Sequence, residues 1–166
     1  LRLSFPFEKE MGYLFDELGL DVHDFPGEDP NCDAVVACNG GLAHVYLQHR
    51  QGSWGNTPRF SEDVLPVASA FWEANQTGKY ASDLHHALEA VLLRDVEHEG
   101  WYSKYRVFTP DGLKTLDSYC ALHKGFKQIE AESRLSHLAG PYSGDLILVS
   151  NYDQHYYFGG PTRGIH

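Results

Sequence analysis

The chain has 166 residues, 42% of them hydrophobic, which suits one domain with a sizeable core. A formal net charge of −10 argues against a nucleic-acid backbone or an anionic membrane surface as partner, because phosphates would be repelled. No apolar run is long enough to cross a bilayer, so no membrane segment is expected.

Glu8 to Gly19 places Met11, Leu14, Phe15 and Leu18 on one helical face, with Gly19 as the stop. Asp21 to Asp33 holds Pro26, Gly27 and Pro30 and reads as an irregular connector. Ala34 to Cys38 is a short buried strand, Asn39-Gly40-Gly41 a turn, and Ala43 to Gln48 the returning strand of a hairpin. His44 lies in the alternating strand and reads as structural, with a site-facing role as the alternative.

Gln51 to Arg59 is a loop. A helix starts at Ser61-Glu62-Asp63 and carries Val64, Leu65, Ala68, Phe71 and Trp72 as its apolar stripe, with Pro66 limiting the regularity of its first turns. From Ser82 a short helical segment leads into the strand Ala90 to Arg94. His85 and His86 are neighbours, so a helix would send them to different sides and make them a poor chelating pair. Glu97 to Gly100 is a turn. Trp101 to Thr109 is strand-like, and Pro110-Asp111-Gly112 turns it into a partner, Leu113 to Leu116. The last helix spans Gly125 to Leu138, with Phe126, Ile129, Leu135 and Leu138 on its apolar side. Asp145 then opens the run Leu146-Ile147-Leu148-Val149, the pattern of a strand buried on both faces.

This order predicts an α/β layered domain, with a parallel sheet built from Ala34–Cys38, Ala90–Arg94 and Leu146–Ser150 and the hairpins at an edge or lobe. In open α/β sheets, sites form at the carboxyl ends of strands. The polar, aromatic and Gly-rich stretch Asn151 to His166 follows such a strand directly.

Phosphate-loop, dinucleotide, HExxH, GxSxG and CxxC motifs are all missing, and no serine, threonine or cysteine has a nucleophile context. Cys32, Cys38 and Cys120 are odd in number and lack ligand spacing, which fits buried thiols outside any disulfide and a reducing, cytoplasmic-type compartment. The one concentrated cluster is Asp153, His155, Arg163 and His166. Asp and His ligate zinc-like metals and Arg holds anionic oxygens, while a solvated polar loop is the plainer alternative.

The segment Ser143 to His166, with its SGDLILVSNYD and YYFGGPTRGIH stretches, resembles the C-terminal catalytic segment of the alkaline phosphatase-like superfamily, in its type I phosphodiesterase/nucleotide pyrophosphatase branch. Gly164-Ile165-His166 matches the first three positions of that branch's Gly-x-His-Gly motif. NGGLAHVYL (Asn39 to Leu47) and ALEAVLLRD (Ala87 to Asp95) resemble two further blocks in the right order. The resemblance implies a partial alkaline phosphatase-like α/β/α sheet and a hydrolase of phosphodiester or pyrophosphate bonds. It also implies two divalent metal ions, zinc by preference, in the complete enzyme, which activate a Thr or Ser nucleophile and neutralise phosphoryl oxygens.

His166 is the one metal ligand the resemblance assigns to this chain. The family's Asp-His-Gly motif and its nucleophile have no counterpart in these residues. The chain is therefore expected to be the C-terminal part of a larger catalytic domain. Alone it should be inactive and unable to hold zinc tightly, since a catalytic zinc takes three protein ligands. A sulfatase-like or phosphonate ester hydrolase of the same superfamily is the nearest alternative, and a non-catalytic α/β binding module is the alternative of another class.

Overall fold

A computed structural model describes residues 7–23, 31–125, 130–151, 154, 156 and 158. Helix α1 (Phe7–Glu17) buries Met11, Leu14 and Phe15, and Phe15 meets Phe71 edge to face. Gly19 ends it in the left-handed region (φ +67), where the Leu20 N–H turns back to the Phe15 carbonyl. The connector that follows is not wholly irregular. Val22–His23 forms a two-residue strand, β1, parallel to β2 (Ala34–Asn39). The hairpin is present as expected: β2 pairs with β3 (Leu42–Leu47) so that Asn39 faces Leu42 across Gly40 and Gly41.

Pro66 lacks an N–H, and the expected helix opens irregularly. Phe60–Val64 makes one π-helical turn before α2 (Leu65–Thr77), which stops at Gly78 (φ +72). Asp63 is buried beneath that turn, where its carboxylate accepts from the Arg59 backbone N–H and from its guanidinium. β4 (Leu88–Leu93) is followed by α3 (Val96–Glu99), where a plain turn was expected. Strand character is confined to β5 (Arg106–Thr109), which pairs with β6 (Gly112–Thr115); Trp101 to Tyr105 lie outside it.

Two helices correct the sequence reading. Leu116 opens α4 (Leu116–Leu122) rather than closing a strand, because the Thr115 hydroxyl accepts from the Ser118 N–H and caps the first turn. The long last helix is not continuous. Glu130 is left-handed (φ 53), which separates α5 (Ala131–Ser136) from what precedes it. Phe126 and Ile129 of the expected apolar side lie outside the described residues; Leu135 is buried and Leu138 half-buried.

Strand β7 (Leu146–Ser150) completes a mixed sheet that has seven strands among the described residues, in the order β1-β2-β3-β7-β4-β5-β6. The α/β class holds, but the parallel core does not. β7 is antiparallel to both β3 and β4, and among the described residues β1 with β2 is the one parallel pair. The misreading has a physical cause. A continuous apolar run reports burial on both faces, and antiparallel strands covered on both faces give the same run. Here Leu146 and Leu148 point into the core formed with α1 and α2, while Ile147 points into the core formed with α4 and α5. Helices thus lie on both faces of the sheet.

Candidate functional site

The two ends of β7 differ in chemistry. At its amino end, Gly144 and Asp145 join β7 to β3. A Cβ on Gly144 would stand 2.7 Å from the Leu146 carbonyl oxygen and 2.9 Å from both Val45 N and Val45 O, so only glycine fits. The Asp145 N–H donates to the Val45 carbonyl, and its carboxylate accepts from the Leu47 N–H, each at 2.8 Å. The side chain thus adds one hydrogen bond to the end of the ladder. Burial pushes the Asp145 carboxyl up to about 6, against the Leu47 hydrogen bond and the nearby Arg94 charge.

Arg94, 1% exposed, donates from its guanidinium to the carbonyls of Trp101, Gly140 and Ser143 and so ties two loops to the sheet. Its Nε has no hydrogen-bond partner, nor has the buried Ser103 hydroxyl. The Tyr105 hydroxyl donates to the Gly144 carbonyl, and burial raises its pKa. His44 Nδ1 accepts from the Gly144 N–H; burial first, then the Arg94 charge, lowers its pKa. His44 is thereby structural, the first of its two readings.

Asp95, Glu97 and His98 stand at this same end, with ligand-type atoms within 4.8 Å of one another. Each carboxylate already has a partner. Asp95 caps α3 by accepting from the His98 N–H and holds the His98 ring Nδ1 at 2.9 Å, while Glu97 accepts from the Phe60 N–H. The Asp95 contact raises the pKa of the His98 imidazole. The sequence reading missed this trio; an Asp followed three residues later by His at a helix start is its only signal.

At the carboxyl end, the chain leaving β7 is held in three places. The Ser150 N–H donates to the Gly41 carbonyl, the Asn151 N–H to the Ala87 carbonyl, and the Phe158 N–H to the Gly40 carbonyl. Phe158 is buried at 1% exposure, and it bridges Gly40 in antiparallel fashion. The Ser150 hydroxyl, 3.9 Å from where a Gly41 Cβ would stand, is buried without a hydrogen-bond partner. Asn151 Nδ2 donates to the His86 carbonyl. Because the neighbours of β7 are antiparallel, this end combines one strand terminus, one strand origin and a hairpin turn. It is not a crevice between parallel strand ends.

His166, with Asp153, His155 and Arg163, lies outside the described residues. The described residues do not assemble a two-zinc centre. Catalytic zinc takes three protein ligands, and the one ligand-spaced trio among them sits at the opposite end of β7 from Ser150. The three cysteines are not joined by disulfides; Cys32 and Cys120 are buried and Cys38 is exposed. Among the described residues no helix is long and apolar enough to cross a membrane. No protein-family model, curated protein or solved structure matches the chain.

Proposed function

We propose that this chain is part of a metal-dependent hydrolase of phosphodiester or pyrophosphate bonds, in which His166 ligates one divalent ion. The carrying observation is the adjacency of the three sequence blocks behind the resemblance. Asn39–Leu47 supplies β2 and β3, Ala87–Asp95 supplies β4, and Ser143–Asp153 supplies β7 between them. The Gly-Asp pair heading the last block has a structural task, since Gly144 allows close approach to β3 and Asp145 prolongs the ladder. The Gly-Gly turn of the first block receives the N–H groups of Ser150 and Phe158. The segment that leads toward Gly164-Ile165-His166 is thus anchored where it leaves the sheet. In this reading the chain contributes an imidazole, and the nucleophile and remaining ligands belong to other parts of a longer protein.

The test is an assay of the protein from the complete reading frame, loaded with zinc, on a nitrophenyl phosphodiester and on a nitrophenyl sulfate. Phosphodiester turnover that is lost on chelation and restored by zinc is the expected result. Faster turnover of the sulfate ester transfers the reading to the sulfatase-like alternative. Turnover of neither substrate overturns the hydrolase reading and leaves the binding module.

A further inference from the structure

Three aromatic side chains stand in water on two neighbouring loops. Trp101 is 46% exposed, Tyr102 75% and Tyr142 91%, and none of them joins either buried core among the described residues. Trp101 and Tyr102 follow Gly100, where α3 stops at φ +83. Tyr142 lies just before Gly144, at the amino end of β7. Buried Arg94 ties the two loops together, because its Nη1 donates to the carbonyls of both Trp101 and Gly140. The Tyr46 hydroxyl donates to the Tyr142 carbonyl at 2.9 Å, and the Ser103 N–H turns back to the Gly100 carbonyl at 3.0 Å. The backbone beneath these side chains is thus fixed in advance, which lowers the ordering cost of binding.

Trp and Tyr grouped in water mark an interaction surface, since they offer large contact areas with few rotatable bonds. Charge indicates the partner. Residues 95–102 and 139–145, which carry the three aromatics, hold Asp95, Glu97, Glu99 and Asp145 but no lysine or arginine. Asp145 is buried, whereas Glu97 and Glu99 are exposed. Beyond this stretch Lys104 is exposed, and Arg106 is paired with Glu99. The chain as a whole carries −10, so its field draws cationic partners and repels acidic ones. A second copy would set acid against acid. A guanidinium plane stacks on Trp and Tyr faces and also answers carboxylates, while a lysine ammonium is more strongly hydrated.

We propose that Trp101, Tyr102 and Tyr142 form a docking surface for an arginine-rich, extended segment of a partner protein. The inference is independent of the hydrolase reading, which concerns the opposite end of β7 and His166.

Calorimetry on the protein from the complete reading frame tests it. The probes are synthetic peptides in which glycine alternates with arginine, lysine or glutamine. The arginine peptide should bind, more weakly as sodium chloride is raised, and more tightly than the lysine peptide. The glutamine peptide should not bind. Trp101→Ala and Tyr142→Ala should each weaken arginine-peptide binding at least about tenfold. Both should keep the parent's urea midpoint, because Arg94 and Tyr46 bond the backbone carbonyls and not the rings. No binding of the arginine peptide overturns the proposal. Equal affinity for the lysine peptide, or parent affinity in both alanine variants, reduces the effect to charge and overturns it too. A concentration-dependent dimer in sedimentation that Tyr142→Ala abolishes would assign the surface to a second copy instead.

Discussion

Gly144→Ala adds one methyl group where β7 passes close against the backbone of β3. The new Cβ would lie 2.7 Å from the Leu146 carbonyl oxygen and 2.9 Å from Val45 N and O, all backbone atoms that cannot swing aside. Since comfortable contacts begin near about 3.5 Å, relieving the Val45 contacts makes β3 and β7 part locally by roughly half an ångström, and relieving the Leu146 contact shifts the start of β7 itself. That movement stretches the 2.8 Å bond from Asp145 N to Val45 O and the 2.8 Å bond from Leu47 N to the Asp145 carboxylate. Overpacking costs about 1–3 kcal/mol, and weakening one buried hydrogen bond adds about 1 kcal/mol. The expected loss is therefore about 2–4 kcal/mol, a large part of a domain's stability of about 5–15 kcal/mol. Urea unfolding followed by tryptophan fluorescence measures it, with a lower midpoint and an unchanged slope. A variant within about 0.5 kcal/mol of the parent would refute the account of why glycine stands there.

Asp145→Asn tests the buried carboxyl. Its pKa is raised from 3.8 to about 6, so its contribution to stability is full below the unfolded value and is lost as pH rises through the folded one. Between about pH 4 and pH 6.5 it should remove up to ~3 kcal/mol, a fall absent from Asp145→Asn. His44 works in the opposite sense: its lowered pKa gives stability above the ordinary histidine value that is lost on acidification, so His44→Gln belongs in the same series. Equal pH slopes in the parent and Asp145→Asn would exclude Asp145 as a source. Arg94→Lys keeps the charge but cannot span three carbonyls with a planar fork, and a loss of about 2–4 kcal/mol by denaturant titration is expected. Ser150→Ala removes a buried hydroxyl without a partner, so unfolding should be unchanged or up to ~1 kcal/mol harder; a clear loss of stability would mean that the hydroxyl is bonded.

Much of the fold was legible because it rests on local chemistry. The stripe Met11, Leu14 and Phe15 marks α1, the Gly-Gly turn marks the first hairpin, and the apolar run from Leu146 marks the central strand. Strand direction was not legible, since Leu146, Ile147 and Leu148 are apolar for burial on two faces whichever way their neighbours run. α4 was missed because its start is written in one hydroxyl, Thr115, within a segment that continues a strand pattern. The stacking of the His85 ring on the His86 ring, with centroids 3.9 Å apart and His86 left-handed at φ 61, was hidden for a different reason. A left-handed His86 depends on Asn75 and Asn151, which are distant in sequence and meet it only in the folded chain. Among the candidate site residues, His44 could be weighed from strand alternation, whereas the task of Asp145 emerges only when Leu47 is placed beside it.

The most direct test of the proposed function is the metal content of the protein from the complete reading frame, compared with its His166→Ala variant. If His166 ligates a catalytic ion, the variant should lose about one equivalent of zinc per chain, because two remaining ligands hold a catalytic zinc poorly. Its phosphodiester turnover should fall at least about a hundredfold, as expected when a metal that stabilises phosphoryl charge is lost. Full zinc content and unchanged turnover in the variant would contradict the assignment.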